Sequence, residues 1–133
     1  MARRLILDTG VIIRAERGGG SLARLLDNGD DVAITPLTFG KLLLGVELAD
    51  EARRPGRQAF VDSVHALVPV EDYTPDIARV HARLLAHVRH EGKPRGAHDL
   101  IIAATAACTA RTVVTTDGKA TFDGLPGVRS ITM

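Results

Sequence analysis

Cysteine, aromatic residues and net charge are all scarce in this chain of 133 residues. Its one cysteine, Cys108, excludes a disulfide within the chain, so we expect a reducing compartment and a cytoplasmic location. A net charge of only +1 excludes a general basic field for nucleic acid, so any such binding has to come from a local patch. Asp8 interrupts the first apolar run too early for a signal peptide. No run approaches the length of a bilayer span, so no membrane partner is expected.

The apolar residues that are present are mostly aliphatic. They make up 45% of the chain and come chiefly from Ala, Leu, Val and Ile, whereas aromatic residues contribute 3%. An aliphatic core with few rings suits layered α/β packing. The length suits one domain of ordinary size, so we expect residues 1–133 to form a single domain with a substantial core.

Short apolar runs alternate with amphipathic stretches along the whole chain. The runs that predict strands are residues 5–7, 32–34, 67–70, 112–115 and 128–131. The stretches that predict helices are residues 11–16, 21–26, 37–48, 58–67, 75–91 and 99–108. This alternation is typical of parallel strands joined by helical crossovers. The predicted fold class is therefore α/β, with three layers (α/β/α) around a central parallel sheet.

Three aspartates fall at corresponding places in this pattern. Asp8 directly follows the first strand, Asp117 follows the strand at 112–115, and Asp99 opens the helix that leads into that strand. In an open parallel sheet, ligands gather beyond the carboxyl ends of the strands. Each aspartate alone is equally well explained as a helix cap or a turn residue. Their common position at one edge favours a shared site.

Carboxylates that converge at one edge repel each other unless a cation holds them together. Oxygen ligands without clustered His or Cys suit a hard ion, so we expect Mg²⁺ or Mn²⁺. Such ions serve phosphate-ester chemistry, because they activate water and neutralise charge on phosphoryl oxygens. Asp8, Asp99 and Asp117 are accordingly the predicted metal ligands and catalytic residues.

Four segments together resemble the PIN-domain ribonucleases, specifically the VapC-type toxins of bacterial type II toxin–antitoxin (VapBC) pairs. They are LILDT at 5–9, ITPLTFGKLLLGV at 34–46, AHDLIIAATA at 97–106, and VTTD at 114–117 with Phe122 and LPG at 125–127. The resemblance spans nearly the whole chain and implies a PIN-like fold. It also implies an Mg²⁺-dependent endonuclease that cuts structured RNA, a homodimer, and a VapB-like antitoxin partner through which the pair binds operator DNA.

The chain departs from that family at Lys41, where such proteins place a glutamate that completes the metal site. Glu47 cannot replace it, because six residues further along a helix the side chain faces another direction. We expect Lys41 to lower metal affinity and activity. A second departure is Thr121, where relatives often carry a further aspartate; Asp123 follows one residue beyond Phe122.

Two function classes remain open at this stage. One is a metal-dependent ribonuclease toxin, for which the basic loop with Lys93 and Arg95 would hold the RNA backbone. The other is a catalytically silent PIN module that binds its antitoxin and acts only in the repressor complex. A receiver-like domain fits less well, because it would need paired early aspartates and a late lysine after a strand. His98 either orients the neighbouring Asp99 or packs at the start of its helix.

Overall fold

The computed structural model describes residues 2–18, 29–120 and 122–133, with the side chain of Lys119 also outside the description. In this part of the chain a parallel four-stranded sheet has the order β2-β1-β3-β4. The strands are β1 (Arg4–Leu7), β2 (Asp31–Ala33), β3 (Thr112–Thr115) and β4 (Ser130–Thr132). In their register, Leu5 lies opposite both Val32 and Thr112. The first strand is thus central, as expected for an uninterrupted apolar run.

Five α-helices connect and flank these strands within the described ranges. They are α1 (Thr9–Arg17), α2 (Pro36–Glu47), α3 (Arg54–Leu67), α4 (Pro75–Glu91) and α5 (Ala97–Cys108). Two short 3₁₀ helices follow β3, at Gly118–Ala120 and Phe122–Gly124. None of these helices is long and apolar enough to cross a membrane.

The core lies on both faces of the sheet because successive strand side chains point in opposite directions. Leu5 and Leu7 pack with α1, α2 and α3 on one face, whereas Ile6 and Val113 pack with α4 and α5 on the other. The predicted three-layer α/β/α architecture is therefore confirmed.

Threonine followed by proline marks the start of two of the helices. Thr35 accepts a hydrogen bond from the backbone N–H of Thr38, and Thr74 does the same for Ile77. Proline fits directly after each cap because the first helical turn has no backbone partner for its N–H group. These signals fix where α2 and α4 begin, and thereby where Lys41 lies along α2.

A buried arginine holds the opposite, amino-terminal edge of the sheet together. The guanidinium group of Arg111 donates to the backbone oxygens of Leu5 and Asp31 and to the carboxylates of Asp31 and Glu71. Only 5% of its side chain is exposed. Burial of this charge is tolerated because two acids and two carbonyl groups pair with it.

The structure differs from the sequence prediction in a few places. Helix α3 begins at Arg54 rather than at residue 58, because Pro55 is tolerated in its first turn. The run at 67–70 forms only an isolated bridge, between Val70 and Ile34, and not a full strand. Cys108, which its apolar helical run predicts to pack in the core, is exposed at the end of α5. Two further features lie outside the described residues: the predicted helix at 21–26 and Thr121, the second position at which the chain departs from the family pattern.

Candidate active site

Asp8 stands at the carboxyl end of the central strand, where it also caps α1. Its Oδ1 accepts a hydrogen bond from the backbone N–H of Thr9 at 2.8 Å. Its Oδ2 accepts one from the hydroxyl of Thr115 at 3.1 Å. The cap role and the site role thus use different oxygens of one half-buried carboxylate. Asp8 can therefore cap α1 and serve as a site residue at the same time.

Thr115 links Asp8 to Asp117, although no motif in the sequence pointed to this residue. Its buried hydroxyl donates to Asp8 and accepts the backbone N–H of Asp117 at 3.0 Å. This second bond fixes the turn that carries the exposed Asp117 out of β3. One threonine therefore sets the positions of two of the three predicted site aspartates.

Asp99 lies half-buried in the first turn of α5 and faces the same edge. Burial raises the pKa of its carboxyl, and the charges of Asp8 and Asp117 raise this pKa further. Lys41 and Arg95 act in the opposite direction on the same pKa. The three predicted aspartates are thus close enough to repel one another, and two cations lie within electrostatic reach.

The donors at this edge suit a hard cation by their chemistry. Among residues 2–18, 29–120 and 122–133, however, no group of three or more His, Cys, Asp or Glu side chains is arranged to hold an ion as it stands. Mg²⁺ is usually bound through one or two carboxylates, with water and substrate phosphate completing its shell. The described residues fit that mode, in which the aspartates share the ion with solvent and substrate.

Lys41 is placed on the side of α2 that reaches the acidic edge. It is exposed, yet its charge lowers the pKa of both Asp99 and His98. Lys41 also lines a narrow groove between α1, α2 and α3, together with Arg17 and Arg57. A positive charge therefore stands beside the acids at the position where the resemblance implies a fourth acid.

Hydroxyl groups and one histidine form a polar network behind the acids. The hydroxyl of Thr38 lies 3.2 Å from Nε2 of His98. The same Thr38 hydroxyl accepts a hydrogen bond of 3.5 Å from the hydroxyl of Thr9. Burial lowers the pKa of His98, and Lys41 lowers it further, which favours the neutral ring. His98 thus ties α5 to α2, and no hydrogen bond between His98 and Asp99 is found in the described part of the chain. Threonines at the start of successive helices were the only sequence signal for this network.

Lys93 and Arg95 lie beside the acids, in the wall of a cavity of about 290 Å³ that also includes Asp99 and Asp117. The guanidinium group of Arg95 donates to the backbone oxygen of Ala120. This bond ties the loop between α4 and α5 to the 3₁₀ turn after β3. The basic loop therefore borders the acidic edge, as its place in the sequence suggested.

Gly10 leaves room for a close approach between α1 and the end of β3. A Cβ atom at this position would lie 2.5 Å from the hydroxyl oxygen of Thr116 and 3.8 Å from its Cβ. A side chain here would therefore force the Thr116 hydroxyl to rotate away. The glycine lets this hydroxyl lie between the segments that carry Asp8 and Asp117.

The fold and the acidic edge match one class of protein. A sequence profile of the PIN domain matches residues 5–126. The crystal structure of VapBC-5 from Mycobacterium tuberculosis, a member of the VapBC family of toxin–antitoxin systems, is similar with a TM-score of 0.78. The two are 33% identical, and the match covers 98% of each chain. The chain belongs to the PIN-domain family.

Curated relatives narrow that assignment further. Ribonuclease VapC5 of Mycobacterium tuberculosis (strain ATCC 25618 / H37Rv) is 38% identical over 132 residues, covering 95% of this chain and 90% of the relative. Ribonuclease VapC of Rickettsia bellii (strain RML369-C) is 32% identical over 130 residues, covering 97% of this chain and 96% of the relative. The predicted resemblance to VapC-type PIN ribonucleases is therefore confirmed.

Proposed function

We propose that this chain is the toxin of a type II toxin–antitoxin pair and a metal-dependent endoribonuclease that cleaves structured RNA. The observation that carries the proposal is the meeting of Asp8, Asp99 and Asp117 at the carboxyl edge of a parallel sheet. Relatives of the same length and fold bear the name ribonuclease. We take residues 1–133 to act as one PIN domain.

Asp8, Asp99 and Asp117 are the residues that would hold Mg²⁺ or Mn²⁺. When bound, such an ion activates water and neutralises charge on the phosphoryl oxygens. Thr115 keeps the carboxylate of Asp8 and the turn of Asp117 in fixed positions, which limits the reorganisation needed on binding. Lys93 and Arg95 hold the RNA backbone beside the acids, since phosphate contacts need little beyond such cations.

Lys41 lowers the affinity of this site for a metal ion, whereas the expected glutamate would raise it. Its ammonium group relieves part of the repulsion among the carboxylates, as its effect on the pKa of Asp99 indicates. A metal ion relieves the same repulsion, so it gains less free energy from a site that already contains a cation. We therefore propose that the chain binds its metal weakly and cleaves RNA slowly.

A VapB-like antitoxin is the proposed protein partner, by analogy with the solved VapBC-5 complex. The pair would bind operator DNA only through the antitoxin. We further propose a homodimer that uses the outward face of α2. There Leu37, Leu44 and Leu48 are 41%, 54% and 76% exposed, more apolar surface than a lone domain usually leaves in water.

The decisive experiment measures RNA cleavage by this chain with Mg²⁺, with Mn²⁺ and with a chelator. Lys41→Glu and Lys41→Gln are assayed beside it. The glutamine variant removes only the charge, whereas the glutamate variant also adds a ligand. We expect metal-dependent cleavage that rises from the unchanged chain to Lys41→Gln and again to Lys41→Glu. Titration calorimetry of the metal should give the same order of affinities.

The alternative is a catalytically silent module that only binds its antitoxin. It is favoured by Lys41 alone, because a cation replaces an acid in the site. This alternative predicts a stable complex with the antitoxin and no cleavage by the unchanged chain at any metal concentration. If Lys41→Glu also fails to cleave RNA, the metal-dependent ribonuclease proposal is wrong.

A further inference from the structure

Two cavities adjoin at the loop between α4 and α5. The first, of about 290 Å³, contains the acids Asp99 and Asp117 and the cation Lys93. The second, of about 300 Å³, lies on the α4 side of the same loop. Pro94 and Arg95 line both cavities, so they form the wall between them. The two cavities are therefore neighbours on either side of one loop.

The second cavity differs in its chemistry from the first. Leu85 and Val88 from α4 and Leu100 from α5 give it an apolar surface. Arg89, exposed on α4, brings a guanidinium side chain to it, whereas that of Arg95 donates to Ala120 in the wall of the first cavity. Among the described residues that line the second cavity, none is aromatic. The cavity therefore offers aliphatic contact together with one planar cation.

A nucleobase has the shape and polarity that these walls accept. Its faces are apolar and flat, and planar arginine side chains stack on such faces. A volume of about 300 Å³ is at the lower end of the usual range for small-molecule sites, which fits one ring system better than a larger ligand. In a nucleotide the base and the phosphate are joined through one sugar, so a bound nucleotide would place them in two neighbouring cavities.

We propose that the apolar cavity formed by Leu85, Val88, Leu100 and Arg89 holds the base of the nucleotide next to the cleaved phosphate. The inference rests on the proposed ribonuclease function and adds a subsite to it. A base can enter such a cavity only when it is unstacked and unpaired.

The test uses the isotopically labelled full chain with Mg²⁺ and two simple probes. Adenosine 5′-monophosphate and uridine 5′-monophosphate carry a base, whereas ribose 5-phosphate does not, and none of them has a phosphodiester to cut. We expect the nucleotides to shift the methyl signals of Leu85, Val88 and Leu100, and ribose 5-phosphate to leave them unchanged. The base should increase affinity by about 2- to 30-fold, the range of a contact between a guanidinium group and the face of a ring.

Two variants of Arg89 separate stacking from charge. Arg89→Ala and Arg89→Lys should both lose several-fold in nucleotide affinity, because lysine keeps the charge and lacks the planar group. Neither variant should change the affinity for ribose 5-phosphate. Arg83→Ala, an exposed arginine of α4 that does not line the cavity, is the matched control and should bind like the unchanged chain.

Each contrary result has a distinct meaning. If ribose 5-phosphate and the nucleotides bind equally and shift only signals near Lys93 and Asp117, the base subsite is wrong while the phosphate site stands. Nucleotide shifts in the apolar cavity without shifts near Asp117 would also overturn it, because the two cavities would not act together. Absence of any shift by all three probes would count against the phosphate site of the proposed function as well.

Discussion

The hydroxyl of Thr115 donates a 3.1 Å hydrogen bond to Oδ2 of Asp8, and the two residues are 107 positions apart in the chain. The same hydroxyl accepts the backbone N–H of Asp117. Parallel pairing of β1 with β3 brings the ends of both strands to one edge, and this bond then fixes the carboxylate on the inner strand. The acidic site therefore depends on a neutral, buried side chain that fixes the positions of Asp8 and Asp117 relative to each other.

Replacement of Thr115 by valine keeps the shape of the side chain and removes the hydroxyl. We expect Mg²⁺ affinity to fall by about 10-fold or more, as is usual when a group that orients a metal ligand is lost. The free energy of unfolding should fall by about 1 kcal/mol, because the carboxylate of Asp8 and the backbone N–H of Asp117 both lose a hydrogen-bond partner. Calorimetry and urea unfolding measure the two effects. Thr115→Ser keeps the hydroxyl and should retain most of the affinity; equal losses in both variants would contradict the role of the hydrogen bond.

Asp99 should make the metal-free chain less stable as the pH rises. Its pKa is raised in the folded state, so the folded state holds this proton more tightly than the unfolded state does. The penalty is therefore fully present above the raised pKa and disappears below the ordinary carboxyl pKa. Asp99→Asn should increase the free energy of unfolding at neutral pH, and this gain should vanish in acid. Urea unfolding with a chelator across this pH range measures it; a gain independent of pH would be evidence against the raised pKa of Asp99.

Glutamate at Leu44 and Leu48 should convert a dimer to a monomer. Both leucines are exposed on α2, and burial of a charge at an apolar contact is costly unless it is paired. Sedimentation velocity on the unchanged chain and on the double variant measures the effect. Ala59→Glu, on the exposed side of α3, is the control and should leave the dimer intact. A chain that stays monomeric at high concentration before any substitution would refute the proposed dimer.

Arg111→Met should destabilise the fold without touching the acidic edge. The change leaves Glu71 without its buried cation and removes one of the partners of Asp31, so we expect a loss of about 3 kcal/mol in the free energy of unfolding. Arg4→Met removes another ion pair of Asp31, but with a side chain that is 46% exposed, so it should cost less than about 1 kcal/mol. Metal affinity should be unchanged in both. Equal losses for the two variants would show that burial of Arg111 is not what matters.

The layered fold and the edge at which the aspartates meet follow from the order of apolar and polar residues along the chain. Apolar runs such as 5–7 and 112–115 reveal buried strands, and the helices between them require parallel pairing. Once the strands are parallel, residues that follow them share one edge, which is why Asp8 and Asp117 could be placed together. Asp99 followed from its position at the start of the helix before β3.

The neutral groups that support these acids, and the apolar cavity next to them, could be identified only from the tertiary packing. The bond between Thr38 and His98 spans 60 residues, and that between Thr115 and Asp8 spans 107. Periodicity and capping signals are local, because each depends only on residues of the same helix or strand. They therefore carry no information about which side chains meet when two such elements pack. The same holds for the burial of Arg111, and for the apolar cavity next to the acidic one, whose walls come from α4, α5 and the loop between them. Contacts of this kind depend on the position and orientation of each helix on the sheet, and these are fixed only when the whole core is packed.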